Sequence, residues 1–294
     1  MTLATPVAVT GANGRLGRAL IEALKARGEK PISWARPDYD LDSTDCSALL
    51  MARDRPRTVI HAAAWTDVDG CAREPEVAAR RNAVAVRELA EACAAAGSVM
   101  VLVSTNEVFD GARTDGQGYG EDDPVGPINA YGASKLFGEA LAGAAFEQAG
   151  REEGLLTVRT AWLFGAPGND FPTKILAAAD RLSPGAALRV VADEVGSPTH
   201  APELARALLD LVAAAPAGTY HLAATGHASR HEVARAVLER CRPGTRLEPI
   251  TRAEYSRASQ PPAWSVLDCS KAASHGVTMR RWQDGLSHYL AELC

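Results

Sequence analysis

Aromatic residues are scarce: five Phe, five Trp and six Tyr make up 5% of 294 positions. A core must therefore be assembled from Ala, Val and Leu, with helices held close through small side chains, and an aromatic in a loop carries unusual information. Excess positive charge is also missing. A formal net charge of −5 excludes a protein that grips nucleic acid through a basic surface, because that needs a positive patch to displace counterions. No segment supplies the roughly 20 apolar residues of a membrane-spanning helix; the uncharged stretch 211–229 comes nearest, and Pro216, Gly218, His221 and His227 interrupt it. The N-terminus lacks the basic and long apolar regions of a secretory leader, so a cytoplasmic location is expected. Cys46, Cys71, Cys93, Cys241, Cys269 and Cys294 stand at wide, irregular spacings without a Cys-x-x-Cys pair. That excludes zinc-ribbon and dithiol motifs and leaves reduced thiols as the expectation, with Cys294 an oxidation liability.

Short apolar runs then alternate with helix-like segments, as befits a folded chain that is 47% hydrophobic and 23% charged. Strands are expected at 6–10, 31–34, 57–62 and 98–103, with helices at 16–26 and 77–95. Continuous Val, Ile and Leu runs imply strands covered on both faces. Strand and helix in alternation imply a doubly wound parallel sheet. A helix at 130–150 and a strand at 155–163 follow, and the Gly165-Ala166-Pro167-Gly168-Asn169-Asp170 loop marks a boundary. The expected organisation is an α/β protein: a Rossmann-type dinucleotide domain over 1–165, with returns near 188–214 and 262–272, and a smaller mixed α/β substrate domain over 166–294.

Three motifs carry chemistry. The first strand delivers Thr10-Gly11-Ala12-Asn13-Gly14-Arg15-Leu16-Gly17 into a helix. Glycines at this spacing allow a tight turn and close approach of backbone to pyrophosphate, while the helix N-terminus offers oriented N–H groups. Arg36, at the end of the second strand, suits the 2′-phosphate of NADP(H), whereas an acid there would suit NAD; Asp40 and Leu41 follow it toward the adenine. Second, Tyr131 and Lys135 open a helix at i and i+4, one face, where an ammonium would lower the phenol's pKa and ready it to protonate a carbonyl. Third, Ser104-Thr105-Asn106-Glu107-Val108-Phe109 ends the strongest strand, at the sheet edge where ligands bind, so that Thr105 can reach the same carbonyl.

At these motifs the chain resembles the extended short-chain dehydrogenase/reductase family, and more closely its dTDP-4-dehydrorhamnose reductase branch. Ala62-Ala63-Ala64-Trp65-Thr66, Pro127-Ile128-Asn129, Gly138-Glu139, Arg159-Thr160-Ala161-Trp162, Gly196-Ser197-Pro198-Thr199 and Ser265-Val266-Leu267-Asp268 extend the resemblance along nearly the whole length. The resemblance implies hydride transfer from NADPH, with NADH the alternative, to C4 of a dTDP-4-keto-6-deoxyhexose. It implies a catalytic set of Thr105, Tyr131 and Lys135, with Lys135 also on the nicotinamide ribose. It places Ala62, Ala63 and Ala64 along the cofactor, and Thr66, Val68, Asn106, Glu107, Phe109 and Trp162 at the substrate. A nucleotide sugar is the expected partner, no metal is needed, and a homodimer is a candidate assembly.

The chain departs from the branch where Asn106-Glu107 replaces Asp-Tyr and where Pro261 stands in place of an arginine. Related 4,6-dehydratases carry Thr-Asp-Glu at this strand end. Glu107 matches their base, but Asn106 cannot serve as a general acid because an amide does not titrate in this range. A dehydratase or epimerase is thus one alternative; a dinucleotide-binding regulatory subunit without turnover is the other.

Overall fold

A computed structural model describes residues 3–294. The chain opens with β1 (Val7–Thr10), α1 (Arg15–Ala26), β2 (Ile32–Trp34), α2 (Cys46–Asp54) and β3 (Thr58–His61). It proceeds through α3 (Val68–Arg73), α4 (Pro75–Ala79), α5 (Ala85–Ala96), β4 (Val99–Thr105), α6 (Ala130–Gln148) and β5 (Leu155–Thr160). Then come β6 (Leu163–Phe164), α7 (Phe171–Ala179), β7 (Ala187–Val191), β8 (Val195–Gly196), β9 (Thr199–His200), α8 (Ala201–Ala214) and β10 (Gly218–His221). The last elements are β11 (Ala228–Ser229), α9 (Arg230–Cys241), β12 (Arg246–Ile250), α10 (Ser270–Ser274) and α11 (Trp282–Leu293).

Six strands form a parallel sheet in the order β2-β1-β3-β4-β5-β10. Successive residues of β1 explain why both faces are covered. Val7 and Val9 pack with Leu16, Leu20 and Leu24 of α1 and Leu204 and Leu208 of α8; Ala8 packs the other way with Leu50, Leu89 and Phe146 of α2, α5 and α6. The fold is the expected Rossmann-type α/β arrangement. Strand order reverses between β1 and β3, which opens a crevice at their C-terminal ends.

The later half contributes both to the central sheet and to a separate apolar cluster. The segment at 187–191 pairs with β12, from Ala187↔Arg246 to Val191↔Ile250, away from the central sheet. The 201–214 part of the return expected near 188–214 is α8, packed on α1, and β10 after it pairs with β5. Phe164, Ile175, Val190, Val237 and Leu290 belong to a separate apolar cluster uniting α7, β7, α9 and α11.

Three local expectations are corrected. The helix expected at 77–95 is interrupted by a π turn at Arg80–Val84. Its extra residue presents Asn82, whose amide accepts from Trp65 N at 2.8 Å and donates to Trp65 O at 3.0 Å and Ser134 Oγ at 3.1 Å. The strand expected at 155–163 breaks because Trp162 takes φ 41°, a left-handed conformation that cannot continue a ladder. Finally, Cys241 and Cys294 are joined in a disulfide across 53 residues, with Cα atoms 5.5 Å apart. The packing of α9 against α11 brings them together, which spacing along the chain does not reveal.

Arg159 in β5 and Glu139 in α6 form a buried ion pair, 2.7 Å from Nη2 to Oε2, with side chains 7% and 10% exposed. Arg159 also lies over the Phe109 ring. Removing the carboxylate strands a buried cation, so Glu139→Leu is expected to lose about 3 kcal/mol of stability. A shift of the urea midpoint at unchanged m-value reads this; an unmoved midpoint contradicts it.

Candidate active site

The glycine turn is shaped by contact. Gly11 takes φ +63°, and a Cβ there would stand 2.9 Å from the Ala63 backbone; a Cβ on Gly17 would run into the Gly11 carbonyl. Gly14 is the N-cap of α1 and supplies no side-chain cap, so the first N–H groups of the helix are left for an anion. These features fit a dinucleotide pyrophosphate.

The cations near the turn are more committed than their positions suggest. Arg15 donates to Gly165 O at 3.1 Å and Gly168 O at 2.9 Å, fastening the loop that follows β6. Arg36 is exposed and paired with Asp40 at 3.3 Å. Asn13 lends its carbonyl to Arg18 at 2.8 Å. Leu41 is buried in the core.

A cavity of about 440 Å³ lies beside the turn at the C-terminal edge of the sheet. Of the residues read from the sequence it gathers Gly14, Arg15, Leu16, Ala62, Ala64, Thr66, Val68, Thr105, Asn106, Glu107, Tyr131, Lys135 and Trp162. Gly11, Asn13, Gly17, Arg36, Asp40, Leu41 and Ala63 lie outside its lining. Phe109, expected at the substrate, is overturned as a contact: it is 0% exposed and stacks on Tyr119 with centroids 4.4 Å apart. The lining also includes Phe171, Pro172, Lys174, Pro198, Arg230 and Val233. Only Pro198 sits in a motif; α7 and α9 deliver the other five through tertiary packing.

Asn129 sets the geometry of the reaction centre. Its Oδ1 caps α6 by accepting from Gly132 N at 2.8 Å, and its Nδ2 donates to Glu107 Oε2 at 2.7 Å. Gly132 is needed because a Cβ there would run into the Glu107 carbonyl. The start of α6, with Tyr131, is thereby pressed against the end of β4. Thr105 Oγ1 accepts from Glu107 N at 3.2 Å, and its hydroxyl donates to Asn106 Oδ1 at 3.3 Å. The Asn106 amide, 2% exposed, donates to Ser265 O at 2.9 Å.

Burial dominates the electrostatics. It raises the Glu107 carboxyl above its usual range, against the hydrogen bond from Asn129 and the attraction of Arg230 and Arg257. Burial and the Glu107 carboxylate push the Tyr131 phenol up, with Thr105 pulling it down. Lys135 is expected from its spacing to acidify Tyr131. Its ammonium donates to Val103 O at 2.8 Å, and burial holds it down to about 8, opposed by Glu139. The site thus presents a protonated phenol beside a hydroxyl: a proton donor facing a cavity, next to an anion-binding turn.

The family model of the RmlD substrate binding domain matches residues 5–294. The chain belongs to the RmlD substrate binding domain family. This RmlD-family chain is 36% identical over 290 residues to the dTDP-4-dehydrorhamnose reductase of Mycobacterium tuberculosis (strain ATCC 25618 / H37Rv), covering 96% of itself and 91% of that protein. It is 33% identical over 288 residues to the spore coat polysaccharide biosynthesis protein SpsK of Bacillus subtilis, covering 98% of each. Among solved structures, the dTDP-4-dehydrorhamnose reductase of Bacillus anthracis in complex with NADP is 31% identical with a TM-score of 0.89, over 97% of this chain and 98% of that one.

The buried ammonium gives a direct test of this geometry. With 13C-labelled lysine, one Cε resonance should titrate near pH 8, the amine losing its proton as pH rises, and it should vanish in Lys135→Met. A Lys135 midpoint near the ordinary value of about 10.4 would contradict the burial.

Proposed function

We propose that this chain reduces the C4 ketone of a dTDP-4-keto-6-deoxyhexose with NADPH, NADH being the alternative donor. The observation that carries the reading is that the Thr105 hydroxyl and the Tyr131 phenol line one cavity, which reaches the glycine turn. The reductases among the relatives, one solved with NADP, support it.

When bound, the nicotinamide cofactor supplies hydride to the keto carbon. Gly11, Asn13, Gly14, Arg15, Leu16 and Gly17 are assigned to its pyrophosphate. Ala62, Ala63 and Ala64 are assigned to its flank, Lys135 to the nicotinamide ribose, and Arg36, Asp40 and Leu41 to the adenosine end. Tyr131, kept protonated by burial and by Glu107, gives its proton to the carbonyl oxygen as negative charge develops there. Thr105 donates a hydrogen bond to the same oxygen, which polarises the carbonyl. Thr66, Val68, Asn106, Glu107 and Trp162 border the sugar. Residues 1–165, completed by α8 and β10, form the cofactor side, and residues from 166 onward supply the outer wall of the sugar-nucleotide cleft. A cytoplasmic site of action accords with this chemistry. Among the described residues no helix is long and apolar enough to cross a membrane.

The burial of Glu107 beside Tyr131 favours one second reading, in which that carboxylate removes a proton for loss of water. Under it the reaction would be redox-neutral and lost in Glu107→Gln.

Net NADPH oxidation with dTDP-4-keto-6-deoxyglucose separates the two. Tyr131→Phe should lower kcat/KM on the order of 10³-fold, within the range of general acid catalysis, at unchanged NADPH affinity. Near-native turnover by that variant rejects the assignment. Loss of water from dTDP-glucose without net consumption of a nicotinamide cofactor selects the second reading.

A further inference from the structure

The outer wall of the cavity holds cations that proton delivery to the ketone leaves unused. Arg230 opens α9, and its guanidinium lies over the Trp162 ring, with Cζ 3.4 Å from the ring centroid and the Phe171 ring at 5.2 Å. Two aromatic faces fix the orientation of its planar fork, so little further ordering is needed to bind a ligand. Its ion pair with Glu194 is long, 3.7 Å, and its side chain remains 23% exposed on the cavity side. Burial holds the guanidinium down to about 10 despite Glu194, so the carboxylate does not repay its lost hydration, although it stays protonated at neutral pH. Lys174 on α7 lines the same cavity and is exposed, with no ion pair among the described residues. The α7 and α9 helices share one apolar cluster. Two neighbouring helices therefore aim underused N–H donors at one space.

The reaction centre is bordered by the buried Glu107 carboxyl and the Tyr131 phenol and, among the described residues, presents no free cation to a diphosphate. A nucleotide sugar carries its negative charge on the diphosphate, away from the reacting ring carbon. The cationic end of the cavity suits that group, and a guanidinium fork matches phosphate oxygens in a bidentate grip. We propose that Arg230 and Lys174 form the binding site for the substrate's diphosphate, Arg230 as an oriented fork and Lys174 as a mobile point charge. This rests on the nucleotide-sugar reading above.

Calorimetric titration of the full-length, NADP-loaded protein with dTDP and with thymidine tests it. The unsubstituted protein should bind dTDP at least tenfold tighter than thymidine. Arg230→Met should lose at least tenfold in dTDP affinity with less than twofold change for thymidine, and Lys174→Ala about threefold. Arg230→Lys should recover part of the loss, and NADP affinity within twofold of the parent's shows that each variant is folded. Unchanged dTDP affinity in Arg230→Met, equal losses for both ligands, or a parent that binds neither overturns the site. Turnover of the unsubstituted protein with dTDP-4-keto-6-deoxyglucose is read separately. Turnover with Arg230-independent dTDP binding rejects this site alone; Arg230-dependent binding without turnover supports the site and rejects the reductase reading.

Discussion

Parallel pairing of β1, β3, β4 and β5 is the constraint on which the cavity depends. Strands that run the same way release their chain at the same edge, and here each exit contributes one part. After Thr10 comes the glycine turn, after His61 the Ala62-Ala63-Ala64 wall, after Ser104 and Thr105 the Glu107 carboxylate, and after Thr160 the left-handed Trp162. Parallel strands also need a crossover between them. The crossover from β4 to β5 is α6, whose first turn brings Tyr131 back over the strand end that it has just left.

Once that edge is assembled, the site is governed by buried charge. Glu107, Lys135, Glu194 and Arg230 are all displaced from their usual protonation behaviour chiefly by burial. Each would favour water over the protein interior, so their placement costs stability that the apolar clusters on the two faces of the sheet must offset. Asn129 limits that cost at one point. One end of its amide satisfies the α6 backbone while the other satisfies Glu107, so the helix register and the carboxylate position are set by a single side chain.

How much was legible in the sequence followed from how local each cause is. The glycine turn could be read because its residues answer to collisions within a few positions, as Gly17 does to Gly11. Strands could be read from runs such as Val99 to Val103, whose Met100, Val101 and Leu102 are buried because helices cover both faces of the sheet. Tyr131 and Thr105 could be read together because each sits at the end of an element that the pattern already defined. Phe109, placed at the substrate by the resemblance, is instead enclosed by Tyr119 and His221, the latter brought in by tertiary packing. Arg15 was legible as part of the glycine turn, but not its grip on the loop after β6, which arrives from 150 positions away. Arg230, Asn82 and the Cys241–Cys294 bond had no local signature, because their partners are set by tertiary packing.

The position of β10 carries a further consequence. Its backbone pairs with β5, whose Leu156 and Val158 are fully buried. β10 arrives only after the chain has built β6, α7, β7 and α8. A chain stopped at the loop after β6 would leave β5 as an exposed apolar edge, with open N–H and C=O groups ready to pair with a strand of another molecule. The later half therefore seals the earlier one against self-association, and neither half is a portable module.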